Sequence, residues 1–342
     1  MKRFFLVLLV LALSASAVLL AANIYLNAWS ARPLTIQQED ALAVPSGSTL
    51  YQLSADLERT GVLDSARLFR LYARLHPGKG QIKAGDYALS PGMTPAGLYA
   101  NLQSGAVLQY NVTLVDGQSF ASFLETLRRT DKLVFTMDDL NIADLLAEWG
   151  SDILHPEGLF FPDTYTFQRG DTDVSILKRA YQRMQQQLQS EWDARAENLP
   201  YKTPYEALIM ASIVEKETGV PSERGEIAGV FVNRLRLGMR LQTDPTVIYG
   251  LGERYQGNLK KRHLNEYTPY NTYRIDGLPP TPIANPGLAA INAALHPMPT
   301  KALYFVARGD GSHQFSVTLA DHEAAVRQYQ LKRRKDYRSS PQ

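Results

Sequence analysis

Two glutamates at the end of an apolar helix are the residues best placed for acid–base chemistry. Glu215 and Glu217 lie in the segment TPYEALIMASIVEKETGV at 203–220. Its first four residues predict a capping box with proline at the first helical position, and Gly219 predicts the helix end. Residues 207–214 are apolar almost all round, which is typical of a buried helix. A carboxyl group at the end of such a helix resists ionisation, as a general acid must.

Helical periodicity alone does not choose between the two glutamates. On a wheel of about 100° per residue, Glu217 falls between Met210 and Ile213, whereas Glu215 falls beside Ala211. Larger apolar neighbours and the negative end of the helix dipole both favour a raised pKa for Glu217. The alternative, that both glutamates are ordinary surface residues on a frayed last turn, stays open at this point.

Two further segments combine amides, hydroxyls and aromatic rings, the mixture with which proteins bind sugars. They are VFVNRLRLGMRLQTDPTVIYG at 230–250, interpreted as a helix joined to an extended stretch, and YTPYNTYRIDGLPPTPIANPG at 267–287. Prolines lower the entropic cost of holding a groove open. The candidate substrate-binding residues are Asn233, Gln242, Thr243, Asp244, Tyr249, Tyr270, Asn271, Tyr273 and Asn285. Simple turn chemistry is the alternative explanation for such loops.

Composition and missing motifs exclude several other classes of protein. The chain has 342 residues, no cysteine and a formal net charge of +2. The absence of cysteine excludes disulfides and thiol catalysis. Nucleic-acid binding is disfavoured, because the only dense basic run is KRRK at 332–335, which is interpreted as a solvated helix end or tail. No HExxH, GxSxG, P-loop or GxGxxG motif occurs, and no spacing suggests a metal site. The remaining possibility for an enzyme is catalysis by carboxyl groups without a metal or an organic cofactor.

The N-terminus predicts export from the cytoplasm. Lys2 and Arg3 precede an uncharged, mostly apolar stretch at 4–31, which is long enough to span a bilayer. The positive-inside rule places the N-terminus in the cytoplasm and the remainder outside. The sequence Ala-Ser-Ala at 15–17 offers the alternative of a cleaved signal peptide. We favour the anchor, because apolar residues continue well beyond that point.

A recurring pattern indicates the elements that follow. Glycine precedes serine or threonine by two residues, and an amphipathic helical run follows, at Gly47/Thr49, Gly92/Thr94 and Gly117/Ser119. Residues 44–105 are predicted to form strand, helix, helix and strand, an arrangement that resembles a LysM module, a fold that often binds glycan. A spacer that binds nothing is the alternative.

The rest of the chain predicts a second and larger α+β domain. We expect helices over 173–195, 203–218 and 222–237, a hairpin of strands at 303–307 and 313–317, and a helix from Leu319. The fold class is therefore α+β: a transmembrane helix within 1–31, a small LysM-like module at 32–106 and a larger domain at 107–342.

Four ordered segments resemble one known family. EGLFFPDTYTF at 157–167, ASIVEKET, the 230–250 segment and YNTYRIDGLPPTPIANPG are together similar to the YceG-like family of endolytic murein transglycosylases. One departure is Thr281, where the family would place a small, glycine-like residue. The resemblance implies that Glu217 is the catalytic acid/base.

The resemblance also implies the reaction and its setting. The substrate would be the β-1,4 bond between N-acetylmuramic acid and N-acetylglucosamine in nascent peptidoglycan strands, cut to leave 1,6-anhydro ends. The protein would be single-pass in the inner membrane with its bulk in the periplasm, and its partners would be glycan strands and peptidoglycan synthases. A noncatalytic glycan-binding scaffold and a hydrolytic muramidase, with Asp244 or Glu215 as partner carboxylate, are the alternatives.

Overall fold

The computed structural model describes residues 2–78, 80 and 82–331, so the basic run at 332–335 lies outside the described residues. The chain divides into two compact units. The first comprises the residues up to Tyr110 together with Lys132–Val134 and Thr166–Asp171. The second comprises the rest of the described chain. Together they form a mixed helix-and-strand protein.

The first unit begins with a long apolar helix, α1 (Lys2–Ser30). It is the one helix among the described residues that has the length and composition to cross a membrane. Most of α1 is exposed, but Leu26, Trp29 and Ser30 in its last two turns are buried. The indole Nε1 of Trp29 donates to Asp64 Oδ1 at 2.7 Å. The end of α1 is therefore part of the core of this unit.

Two strands and three helices complete the first unit. In chain order they are β1 (Asp40–Val44), α2 (Leu50–Arg59), α3 (Ala66–Leu75), β2 (Gly85–Leu89) and α4 (Pro95–Ser104). β1 and β2 are antiparallel, with Leu42 opposite Tyr87. The predicted order of strand, helix, helix and strand is therefore present. The LysM-like assignment stays a prediction.

The second unit is mainly helical. Its earlier elements are most of β3 (Tyr110–Thr113), α5 (Phe120–Arg128), α6 (Ile142–Glu148), the first half of β4 (Thr164–Phe167), which pairs with β3, and α7 (Asp173–Asp193). Tyr110 and the second half of β4 belong to the first unit. Its later elements are α8 (Pro204–Glu217), α9 (Arg224–Arg236), α10 (Asp244–Leu251), α11 (Lys261–Asn265), α12 (Leu288–Leu295), β5 (Tyr304–Ala307), β6 (His313–Ser316) and α13 (Leu319–Val326). The antiparallel hairpin of β5 and β6 confirms the predicted pairing.

Helix α8 is the centre of the second unit and positions the candidate site. It packs against α7, α9, α10 and α12, and every residue from Ala207 to Val214 is buried. Ser212, the polar exception, donates to Ile209 O at 2.7 Å and accepts from Ile283 N at 3.0 Å. Its hydroxyl is therefore fully used inside the core, where an unpaired group would be costly. The prediction of a buried helix is confirmed.

Gly219 follows Thr218, the C-cap residue of α8, so this helix ends within one residue of its predicted end. Two other local predictions are wrong. Residues 244–250 are not extended but lie within α10, because Thr243 adopts an N-cap conformation and Pro245 occupies the first turn of the helix. The capping box is only half formed: Thr203 accepts from Glu206 N, but the Glu206 carboxylate accepts from Lys202 N instead.

Candidate active site

Glu217 is the last residue of α8, and its side chain is half-buried. The hydroxyl of Thr243 donates a hydrogen bond to its Oε1. Burial, assisted by the negative charge of Asp244, raises the pKa of Glu217 to about 7, against the opposing effects of the Thr243 hydrogen bond and the charge of Arg234. A carboxyl group with this pKa is protonated in a large fraction of molecules at neutral pH, so it can both give and take a proton.

Glu215, two residues earlier, is held in a different way. Its side chain is 7% exposed, and its Oε2 accepts from Gly287 N at 3.0 Å. Arg224 Nη2 lies 3.5 Å from Oε1. Burial raises the pKa of Glu215 as well, against the opposing effects of these two partners. Both of its oxygens thus face other parts of the protein, which indicates that Glu215 fixes the loop before α12.

The loop from Leu241 to Thr243 presents the hydroxyl that binds Glu217. Thr243 is 2% exposed; its N–H donates to Thr272 Oγ1 at 3.0 Å, and its carbonyl accepts from Thr246 Oγ1 at 2.8 Å. Thr243 is the N-cap residue of α10, yet its hydroxyl donates to Glu217 rather than accepting from α10. Gln242, just before it, is exposed and has a left-handed backbone with φ of 52°.

Asp244 and Tyr273 form a second polar pair next to Glu217. Tyr273 donates its hydroxyl hydrogen to Asp244 Oδ1 at 2.7 Å. Burial, followed by the charge of Asp244, raises the pKa of Tyr273, so this phenol stays protonated as a donor. The structure therefore brings together four of the predicted site residues, namely Glu217, Thr243, Asp244 and Tyr273.

Three predicted asparagines use their amides within the protein. Asn233 donates to the carbonyls of Thr300 and Ala302 at 2.9 and 3.2 Å. Asn271 donates to the carbonyls of His263, Leu264 and Glu266, and it accepts from Tyr273 N at 3.0 Å. Asn285 accepts from Phe160 N at 3.2 Å and donates to Gln118 O at 3.1 Å. These contacts order the loops, and sugar binding by the three residues stays a prediction.

Glu157 is a buried carboxyl group that is not among the site residues predicted from the sequence. It is 5% exposed, and burial raises its pKa to about 7. Tyr249 donates to its Oε2 at 3.2 Å, and Phe120 N donates to its Oε1 at 2.9 Å. The sequence feature that could have indicated it is a single acidic residue at the start of the otherwise apolar segment EGLFF.

Tyr249 and Tyr270 pack edge to face, with ring centroids 4.9 Å apart. The Tyr270 hydroxyl lies 2.8 Å from Thr281 Oγ1, which itself donates to Pro282 O at 2.9 Å. The hydroxyl of Thr281 thus links the Tyr270 hydroxyl to the backbone of the proline-rich loop. These two tyrosines connect α10 to the loop that precedes α12.

Comparison with known proteins assigns this arrangement to a family. The model of the YceG-like family matches residues 42–328. The chain belongs to the YceG-like family. The matched range includes both α8 glutamates and Glu157, and the resemblance inferred from the four segments is confirmed.

Individual relatives of this YceG-like protein carry a common name. It is 32% identical over 304 residues to the endolytic murein transglycosylase of Bacillus subtilis (strain 168), covering 84% of this chain and 83% of the relative. It is 27% identical over 322 residues to the protein of that name from Streptococcus pneumoniae serotype 2, covering 84% of this chain but only 58% of the relative.

A solved structure agrees with the family assignment. The crystal structure of a YceG-like protein from Listeria monocytogenes is 29% identical, with a TM-score of 0.52. The alignment covers 84% of this chain and 99% of that chain.

Proposed function

We propose that this YceG-like protein is an endolytic lytic transglycosylase that cuts the β-1,4 bond between N-acetylmuramic acid and N-acetylglucosamine in peptidoglycan. The observation that supports this most directly is the Glu217 carboxyl group, whose pKa is raised to about 7 at the end of a buried helix. The names of the curated relatives support the substrate class.

In this mechanism Glu217 acts twice. Protonated Glu217 donates its hydrogen to the glycosidic oxygen as the bond from that oxygen to C1 of the muramic acid breaks, and C1 gains oxocarbenium character. The resulting carboxylate removes the hydrogen of the C6 hydroxyl on the same sugar, whose oxygen bonds to C1. The product is a 1,6-anhydro end, Glu217 is protonated again and no water is consumed.

The neighbours of Glu217 suit both steps. The Thr243 hydroxyl stabilises the carboxylate that exists between the two proton transfers. The negative charge of Asp244 raises the pKa of Glu217 and also favours positive charge developing nearby. Gln242, Tyr249, Tyr270 and Tyr273, together with the three asparagines discussed above, remain the proposed substrate-binding residues.

A hydrolytic muramidase is the second candidate function. Asp244 is exposed and lies close enough to Glu217 for its charge to raise the pKa of that residue. A second carboxylate in this position could activate a water molecule for attack at C1. Hydrolysis would leave reducing ends one water heavier than anhydro ends, so mass spectrometry of the released fragments separates the two reactions.

The decisive variant is Glu217→Gln, which keeps the size of the side chain and removes the acid. We expect it to release no anhydro fragments from purified sacculi, whereas Glu206→Gln should retain wild-type activity. Glu206 is a matched control because it lies on the same helix, about 16 Å away along its axis. Normal release by Glu217→Gln would disprove the acid/base assignment, and absence of release by the wild-type protein would favour a noncatalytic scaffold.

We further propose that α1 is a membrane anchor rather than a cleaved signal peptide. The helix continues without a break through residues 15–17. Cleavage there would leave an apolar stub in water, since Val18, Leu19, Leu20 and Ile24 are all strongly exposed. The chain would then be single-pass in the inner membrane, with residues 32–106 as a LysM-like module and 107–342 as the catalytic domain, near peptidoglycan synthases.

A further inference from the structure

Glu157 joins three separate segments of the second unit. Its Oε1 accepts from the N–H of Phe120, the first residue of α5, at 2.9 Å and lies 3.4 Å from the side-chain nitrogen of Asn285. Its Oε2 accepts from the Tyr249 hydroxyl at 3.2 Å. A carboxyl group that is 5% exposed costs free energy unless its oxygens are bonded, and here both are used.

The bond to Tyr249 attaches one end of α10 to Glu157. The other end begins at Thr243, whose hydroxyl donates to Glu217. Helix α10 is short, with Thr243 and Tyr249 less than two turns apart. A hydroxyl near each end of one short helix is therefore bonded to a carboxyl group. The proposed catalytic acid and Glu157 therefore help to fix the position of α10, together with the bonds that Thr243 and Thr246 make to Thr272.

We infer that Glu157 is a positioning residue, which acts through Tyr249 to hold α10 where Thr243 can bond Glu217. This inference rests on the proposed function and adds a residue to its site. Without the bond from Tyr249 to Glu157, the C-terminal end of α10 is held less firmly, although Thr243 and Thr246 keep their bonds to Thr272. The hydrogen bond from Thr243 to Glu217 then weakens. Glu217 is then less well placed for proton transfer, and its carboxylate loses a stabilising donor.

The charges around both carboxyl groups define the expected titration. Glu157 is faced by Tyr249, by Lys216 of α8 and by the His155 ring, whose Nδ1 accepts from Glu157 N at 3.3 Å. Burial raises the pKa of Glu157 to about 7.

Glu217 is faced by Asp244 of α10, Arg234 of α9 and Tyr273. Loss of the Thr243 bond should raise the pKa of Glu217, because that bond favours the charged form. Removing a negative charge at Glu157 would by itself have the opposite effect on a neighbouring acid.

The test is a double-mutant cycle in the full-length protein in detergent micelles. Glu157→Gln keeps an oxygen for Phe120 N but places an amide nitrogen, which cannot accept a hydrogen bond, opposite the Tyr249 hydroxyl. Tyr249→Phe removes the hydroxyl and keeps the ring that would contact a sugar. We expect each to lower kcat on polymeric glycan about tenfold with KM within about twofold. The double variant should be no slower than either single one, because both changes break the same connection. The matched controls are Glu206→Gln and Tyr255→Phe, which changes a half-buried tyrosine four residues after the end of α10.

A second measurement does not require activity. The pKa of Glu217 is followed by 13C NMR of labelled glutamate, with its signal assigned by loss in Glu217→Gln. We expect the pKa to rise in both Glu157→Gln and Tyr249→Phe. Independent, multiplicative losses of kcat, or an unchanged Glu217 pKa in both variants, would overturn the inference. If the wild-type protein cleaved no glycan, the proposed function would fail, while the pKa comparison would still decide the coupling.

Discussion

At the scale of single residues, Glu215 and Glu217 acquire different roles from their partners rather than from their own chemistry. Glu215 accepts from Gly287 N and lies against Arg224, so its charge is compensated within the protein. Glu217 has the Thr243 hydroxyl and a nearby negative charge on Asp244. The first arrangement suits a structural group, and the second suits one that gains and loses a proton.

The raised pKa of Glu217 predicts a pH-dependent cost to stability. The folded state keeps the proton up to about pH 7, whereas the unfolded state releases it near the ordinary glutamate pKa of 4.5. Between these values the folded state binds more protons, so the free energy of unfolding falls as pH rises. Glu217→Gln removes this cost. We expect the variant to be more stable than wild type at pH 8, by about 2–3 kcal/mol, and equally stable at pH 4.

Urea unfolding at the two pH values measures this difference, with Glu206→Gln as the control for removal of a charge from the same helix. A variant that was less stable than wild type at pH 8 would mean that the carboxylate is well solvated in the folded state. That result would remove the physical basis for Glu217 as an acid at neutral pH.

Residue types alone could not predict which polar groups are available to a substrate. Asn233 and Asn271 were selected because amides bind sugars, but in the fold their amide hydrogens are donated to backbone carbonyls. Glu157 was missed for the converse reason. Its partners Phe120, Tyr249 and Asn285 are far from it in sequence, and only the fold brings them together.

At the scale of secondary-structure elements, the helix starts that depend on local sequence were the most predictable features of the chain. Each predicted cap, Thr49, Thr94 and Ser119, accepts a hydrogen bond from the first turn of its helix. The preceding glycines all have left-handed backbones. The interpretation of 244–250 as extended was wrong because a proline two residues after a threonine is equally typical of a helix start.

The turn at Gly158 allows the destabilising effect of steric crowding to be separated from that of backbone strain. Gly158 and Gly150 have the same φ of 83°, but a Cβ on Gly158 would lie 2.4 Å from Pro282 Cβ, whereas one on Gly150 would meet nothing within 4 Å. We expect Gly150→Ala to lower the free energy of unfolding by about 1–2 kcal/mol through strain alone. Gly158→Ala should cost about 1–3 kcal/mol more, because the loop at Pro282 must move.

Thermal unfolding of the two variants gives the comparison, and activity on sacculi gives a second readout. Gly158 adjoins Glu157, so displacement of this turn should also reduce cleavage, while Gly150→Ala should cleave normally. Equal losses of stability in the two variants would indicate that the 157–167 segment and the Pro282 loop do not pack as described.

At the scale of the whole molecule, the apolar N-terminal helix and the first folded unit are one structural body. Leu26 and Trp29 belong to the same buried cluster as Leu53, Phe69 and Tyr87. No linker therefore separates the proposed membrane segment from the unit that follows it. The exposed part of α1, about 24 residues or 36 Å long, is sufficient for the bilayer core, so the unit would lie at the membrane surface.

This continuity predicts that a substitution at the end of α1 destabilises the first unit. Trp29 is 1% exposed and bonds Asp64 through its indole nitrogen. Trp29→Ala should lower the free energy of unfolding of this unit by about 3–5 kcal/mol. Leu20→Ala, on the same helix at 63% exposure, should change it by less than about 0.5 kcal/mol. Hydrogen exchange of β1 and β2 in the full-length protein reports the effect, and equal protection of these strands in both variants would show that α1 is merely tethered to the unit.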